Sequence, residues 1–284
     1  MKSKSLKKFK ELKNLNLLDD FLFKELAEDQ EAIESILEII LGREIELLEK
    51  PKTEKEERTN PFLKRVKLDV YAFDDESTYD VEVQQEMKND LRKRIRFYTA
   101  LMDYQLLKSG SPSYNEMKDV YLIMIAPFDL FGDNRYKYTF KMTSQENKEI
   151  ELGDGQTVIF LNTNGKNEEG ASQELIDMLK YFQKTSDNTE NKSKSNKIEM
   201  LHEKVRKIKS NEKVGVKYMN RWEEEFELRE EGRAEGRAEG RKEGRKEGAR
   251  EREFEIARNL KQAGLELKMI AKNTGLTLKE VEEL

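Results

Sequence analysis

Val66-Lys67-Leu68-Asp69-Val70-Tyr71-Ala72-Phe73, followed after Asp74-Asp75-Glu76-Ser77 by Thr78-Tyr79-Asp80-Val81-Glu82-Val83-Gln84, decides how this chain is read. Both runs are rich in β-branched and aromatic residues, and both alternate. In the first, Val66, Leu68, Val70 and Ala72 share one face, and Lys67, Asp69, Tyr71 and Phe73 the other. In the second, Val81 and Val83 are apolar, with Asp80, Glu82 and Gln84 opposite. The acidic stretch between the runs is turn-like, so they are expected to pair as an antiparallel hairpin. A turn through Asp75-Glu76 sets Asp69 across from Glu82 and Lys67 across from Gln84. Cross-strand neighbours on one face have Cβ atoms roughly 5 Å apart, and like charges at that spacing repel. Two carboxylates persist side by side when a cation lies between them or when one keeps its proton. A hard divalent cation held by carboxylate oxygens suits the first case. A solvated polar face is the competing account, and Tyr71 and Phe73 on the same side speak against it.

The flanks read as a mixed α/β core. Residues 20–42 carry Phe21, Phe23, Leu26, Ile33, Ile36, Leu37, Ile40 and Leu41 at helical spacing, with Asp19 or Asp20 as the cap and Gly42 as the stop. Residues 50–59 read as a charged link before the hairpin. A helix is expected over 87–108, and Val-Tyr-Leu-Ile-Met-Ile-Ala at 120–126 has the near-continuous apolar character of a strand covered on both faces. Further strands are expected at 136–143 and 157–162, and a helix at 168–183.

Beyond this core of residues 1–184, residues 185–196 are polar and read as a linker or exposed loop. Residues 197–250 form a charged helical region with a four-residue repeat that places glycines at 232, 236, 240, 244 and 248. Four residues advance a helix by about 400°, so each residue type winds as a right-handed stripe. Each glycine costs about 1 kcal/mol relative to alanine, so the isolated helix is marginal. A partner lying along the glycine stripe approaches closely, and a parallel pair sets the Glu stripe of one copy beside the Arg stripe of the other. Self-association through this repeat is one expectation, and a low-complexity spacer is the other. Residues 251–284 read as a small helical, helix-turn-helix-like segment with a turn at Gly275; packing or capping of an oligomer is the alternative to groove reading.

Composition narrows the chemistry. The 284 residues are 36% hydrophobic and 39% charged, so part of the chain must be solvated helix or loop. The absence of cysteine excludes disulfides, thiolate metal sites and a cysteine nucleophile. A single histidine, His202, cannot build a multi-histidine zinc site and reads as an ordinary surface residue. The net charge of −5 does not advertise nucleic-acid binding, although a local basic patch can act within an acidic chain. The basic N-terminus is not followed by a secretory apolar core, and no apolar run approaches the ~18–20 residues of a membrane span. A cytoplasmic, non-membrane protein is expected.

An acid on one strand, with an acid two residues before an amide on the next, is the layout of a metal-dependent phosphodiesterase. At this point the chain resembles a family. Leu68-Asp69-Val70 with Tyr79-Asp80-Val81-Glu82-Val83-Gln84 is similar to the D…E-x-Q pattern of PD-(D/E)XK nuclease family transposases, or recombination-promoting nucleases. Asp20-Phe21-Leu22-Phe23-Lys24 resembles that branch's opening D-x-x-F-K, and Arg94-Ile95-Arg96-Phe97-Tyr98 its arginine- and tyrosine-bearing helix. The apolar strand ending in Phe-x-x-Phe and the Glu-Gly-Arg repeat also match.

The resemblance implies a restriction-endonuclease-like α/β core, with a mixed central sheet flanked by helices and a mostly helical C-terminal extension. It implies a DNA endonuclease that uses Mg²⁺, with Mn²⁺ as a substitute, and acts in recombination, mobile-element biology or defence. Asp69 and Glu82 are then the metal ligands, and Gln84 stands where the wider superfamily has its catalytic lysine. Gln84 cannot carry positive charge, and Lys67 across the hairpin is the residue expected to supply it. Asp20 and Glu25 are candidates for an outer acid, with capping the expected role of Asp20 and solvent exposure that of Glu25. Lys88, Arg94 and Arg96 are the expected DNA contacts. A catalytically silent, oligomeric DNA-binding or scaffold protein is the competing functional reading.

Overall fold

The computed structural model describes residues 9–57, 66–106, 113–185 and 195–284. Its first unit, Met1–Tyr218, is built on a mixed six-stranded sheet. The strands are β1 (Lys52–Glu57), β2 (Val66–Phe73), β3 (Ser77–Val83), β4 (Asp119–Ala126), β5 (Lys137–Phe140) and β6 (Gln156–Asn162), in spatial order β1-β2-β3-β4-β6-β5. β1, β2 and β3 run antiparallel, β3–β4 and β4–β6 are parallel, and β5 closes the far edge antiparallel to β6. Parallel neighbours need a crossover, and helix α3 (Leu91–Leu106) supplies it between β3 and β4.

Each face of the sheet is covered. On one side α1 (Asp20–Ala27), α2 (Gln30–Leu41), α4 (Gln173–Gln183) and α5 (Asn196–Ser210) bury Phe23, Leu26, Ile36, Leu179, Phe182 and Leu201 against Val70, Val81, Ile123 and Leu161. On the other, Leu91, Ile95, Tyr98 and Met102 of α3 pack on Leu68, Tyr71, Leu122 and Met124. Burial on both faces explains why every residue of β3 is inaccessible and why β4 is almost purely apolar. This is the α/β architecture expected from the sequence.

Several boundaries differ from the sequence reading. Residues 50–59 hold β1 rather than a bare link. It is an edge strand, where charged side chains are tolerated and discourage further pairing. The helical region 20–42 is two helices, because Asp29 accepts from Ala32 N–H and caps a new start at Gln30. Asp19, not Asp20, caps α1, accepting from Phe21 N–H. The strand expected over 136–143 spans only Lys137–Phe140, and the helix expected over 168–183 starts after its cap Ser172. The expected linker 185–196 lies largely outside the described residues, as do the end of the helix at 107–110 and the side chain of Lys67.

Helix α6 (Glu212–Gln262) contains the boundary between the two units, and the whole four-residue repeat is helical. Among the described residues, nothing beyond the helix's own backbone lies within 4 Å of where a Cβ would project from Gly232, Gly236, Gly240, Gly244 or Gly248, so the glycine stripe is open. The second unit, Met219–Leu284, has its own small core of Ala257, Ile270, Leu276 and Val281. Here α7 (Leu267–Thr274) and α8 (Leu278–Glu282) pack on the end of α6. Gly275, at φ 78°, ends α7 in the left-handed conformation, and Thr277 and Glu280 form a capping box for α8. Lys261 Nζ donates to the carbonyls of Val281 and Glu282. Among the described residues, no helix is long and apolar enough to cross a membrane.

Candidate active site

The β2–β3 ladder pairs Phe73 with Thr78, Ala72 with Tyr79 and Tyr71 with Asp80, the register predicted from the turn. Further from the turn, side-chain carboxylates take up backbone groups. The Asp69 N–H donates to Glu82 Oε1 at 3.1 Å, and the Val83 N–H donates to the Asp69 carboxylate. The strand face also changes here. Val70 and Ala72 pack beneath α1 and α2 as expected, but Leu68 joins the α3-side cluster and Asp69 reaches α1. The predicted alternation therefore holds from Val70 to Phe73 and reverses at Leu68 and Asp69.

Two helices close the site. On α1, Lys24 Nζ lies 3.0 Å from Asp69 Oδ1 and 2.6 Å from Asp20 Oδ1. On α3, Arg94 donates to Glu82 Oε2 at 3.2 Å, and its guanidinium lies 5.2 Å over the ring of Tyr98. The result is a continuous chain Asp20–Lys24–Asp69–Glu82–Arg94–Tyr98 across α1, β2, β3 and α3. It is sheltered: the side chains of Glu82, Lys24 and Asp69 are 3%, 11% and 15% exposed.

Electrostatics follow from that shelter. Burial, reinforced by the neighbouring Asp69, pushes the Glu82 carboxyl up to about 8, against the pull of Arg94. Burial also raises Asp69, and Lys24 offsets part of the rise. Burial pulls the Lys24 ammonium down, but Asp69 and Asp20 together hold it above its usual value. Burial and the Glu82 charge raise the Tyr98 hydroxyl. Burial thus makes each acid costly to ionise, and the cation beside it offsets only part of that cost.

The donor set fits a divalent cation. Both acids are hard oxygen donors, linked through one backbone N–H. Among the described residues no group of three His, Cys, Asp or Glu converges on a common point. Asp69 and Glu82 are the residues that would hold a divalent ion at this point of the fold.

The other expected residues fall differently. Gln84 is buried and commits its amide to the Glu86 carbonyl at 2.7 Å. Lys88 is exposed in the loop before α3, and Arg96 is exposed on α3. Arg94 instead turns inward to Glu82. Asp20 pairs with Lys24 rather than capping. Glu25 is not solvent-facing, because its side chain is 11% exposed and lies 2.5 Å from Lys217 Nζ. His202 packs edge-on against Tyr181.

A family model for PD-(D/E)XK nuclease family transposases matches residues 17–231. The chain belongs to this family. Neither a curated protein nor a solved structure matches it. The mixed sheet with flanking helices is a restriction-endonuclease-like α/β fold, and membership supports a nuclease-type function.

Within this PD-(D/E)XK frame, Lys24 is the site residue that sequence reasoning did not single out. Its signal was present, since it ends the Asp20-Phe21-Leu22-Phe23-Lys24 motif and lies four residues after Asp20. A lysine in an amphipathic helix ordinarily marks the solvent face. Here it sits among the buried residues Phe23, Leu26 and Ala27.

Proposed function

We propose that this chain hydrolyses phosphodiester bonds of DNA as a Mg²⁺-dependent endonuclease, with Mn²⁺ able to substitute. The observation that carries the reading is the pairing of buried Glu82 with half-buried Asp69 through a 3.1 Å hydrogen bond from the Asp69 N–H. Held by Asp69 and Glu82, the ion would supply Lewis acidity toward the phosphate and the attacking water. The chain's own residues orient the acids: Lys24 fixes Asp69 and Arg94 fixes Glu82. In the reaction the water oxygen bonds to phosphorus and the bond from phosphorus to the sugar oxygen breaks. The water gives up a proton, and the leaving oxygen gains one. Lys88 and Arg96, both exposed, suit contacts with the DNA backbone. Family membership supports a role in recombination, mobile DNA or defence.

One observation favours the second reading, a catalytically silent DNA-binding or scaffold protein. The Gln84 amide is engaged by the Glu86 backbone and carries no charge. Supercoiled-plasmid nicking with Mg²⁺, with Mn²⁺ and with chelator separates the two. Metal-dependent nicking supports hydrolysis, and its absence favours the scaffold. The open glycine stripe of α6 and its flanking Glu and Arg stripes support a parallel homo-oligomer.

A further inference from the structure

We propose that Phe131, Tyr138 and Phe140, with Arg92 beside them, form a stacking platform for unpaired bases, so that the DNA this site takes carries a single-stranded tail. This deepens the hydrolytic reading above and rests on it.

The sheet sets the placement. Glu82 pairs with Met124, Met124 with Phe160 and Phe160 with Tyr138, one row across β3, β4, β6 and β5. Residues in such a row share a face, and here it is the face under α3. Arg94 of α3 meets Glu82 there, and Met124, Phe160 and Tyr138 belong to the α3-side cluster. Three strand spacings of ~4.8 Å put Tyr138 roughly 14 Å from Glu82, a few nucleotides along a strand held at the acids. Helix α3 serves both ends of the row: Arg94 reaches Glu82, and Arg92, two residues earlier, reaches the aromatic end.

The aromatic end suits a base. The Phe131 ring centroid lies 4.6 Å from Phe140 and 4.8 Å from Tyr138, and the Tyr138 and Phe140 rings are within 10° of parallel. Phe160 supports Phe131 edge-on at 5.4 Å. Phe140 is 42% exposed on an edge strand, where native sheets avoid apolar side chains because they invite pairing. The Arg92 guanidinium sits 5.6 Å over the Phe131 ring and donates to the Leu130 carbonyl, so its exposed charge is fixed at the rim, where a phosphate would lie. The acids of the adjoining loop are already engaged. Asp129 accepts from the Phe131 and Asn134 N–H groups and from the Tyr138 hydroxyl, and Asp133 pairs with Arg135. Stacking on an aromatic ring suits any base, because each has a π face. Within a duplex those faces are covered by neighbouring bases, so the platform favours unpaired nucleotides.

The test measures binding of the full chain, in chelator, to a blunt DNA duplex and to the same duplex with a short thymine tail carrying one 2-aminopurine. Wild type should bind the tailed duplex about fivefold or more tighter, the scale of one stacked base, and quench the 2-aminopurine. Phe140→Ala should lose that preference while keeping its blunt-duplex affinity and unfolding midpoint, and Phe140→Trp should keep the preference. If Phe140→Ala does not fold, Phe140→Leu retains apolar bulk without an aromatic face and should still lose the preference. Equal affinity of wild type for the two duplexes, or no binding to either, would overturn the proposal. So would a preference that survives in Phe140→Ala or Phe140→Leu, or an equal loss on both duplexes. A lower oligomeric state of Phe140→Ala in sedimentation, with tail preference intact, would assign the rings to a second copy and overturn it as well. Mg²⁺-dependent plasmid nicking by a wild type without tail preference strikes the platform alone. Tail preference without nicking contradicts the hydrolytic reading and leaves the platform standing as a DNA-binding surface.

Discussion

The backbone N–H of Asp69 donates to Oε1 of Glu82 at 3.1 Å, so the two acids of this hairpin are joined through main chain rather than simply facing each other. That bond holds one oxygen of Glu82 while Arg94 holds the other at 3.2 Å. Burial makes this carboxylate costly to ionise, and the two donors offset only part of that cost.

The pH dependence of metal-free stability follows. Burial raises Glu82 to about 8, so its favourable contribution is complete below its ordinary carboxylate range and is lost as pH rises through about 8. Glu82→Gln should therefore gain stability relative to wild type as pH rises from 5 to 9 in chelator. Urea denaturation across that range checks this, and a relative loss for the variant would contradict the buried, proton-retaining carboxyl.

Mn²⁺ binding should show the same proton. Binding must displace it from Glu82, so affinity should rise with pH up to about 8 and then level off. Calorimetry in buffers of different ionisation heat should detect proton release at pH 7, and pH-independent affinity would contradict it.

Arg94→Met leaves Glu82 without its cation. An orphaned buried partner of a charged hydrogen bond costs about 1–3 kcal/mol, and the loss should be greatest above pH 8, where Glu82 ionises. Denaturant titrations at pH 6 and pH 9 measure the difference.

Gly165 tests packing away from the site. A Cβ there would lie 2.6 Å from Tyr136 Cγ and 2.8 Å from Tyr136 Cα. Gly165→Ala should destabilise the fold by about 1–3 kcal/mol through overpacking. An unchanged unfolding midpoint would contradict the close approach.

The α6 stripe makes a separate claim. A chain ending at Glu230 should sediment at a lower oligomeric state than the full chain, as should Gly236→Leu/Gly240→Leu. An unchanged state in both would sink parallel pairing along the glycines.

The hairpin could be read from residues because two physical signals coincided there: a strict two-residue alternation and a turn that fixes register. Asp80 and Glu82 came out opposite Val81 and Val83, and the ladder from Tyr71 to Phe73 follows the turn. β1 escaped because Lys-Thr-Glu-Lys-Glu-Glu has no apolar period; it is a strand by virtue of β2 beside it. The split between α1 and α2 was available in Asp29, a good cap masked by apolar residues on both sides. Lys24 was hidden for a different reason. Its partner Asp69 is distant in sequence, and only the docking of α1 beside β2 turns an ordinary helical lysine into part of the acid cluster.

The most direct test is plasmid nicking by wild type, Asp69→Asn and Glu82→Gln at matched folded concentration, with Mg²⁺ and with chelator. The account predicts nicking by wild type with Mg²⁺ alone, and at least about 1,000-fold less by either variant, as expected when a group acting as part of a unit is lost. Cleavage persisting in both variants would contradict the assignment of Asp69 and Glu82.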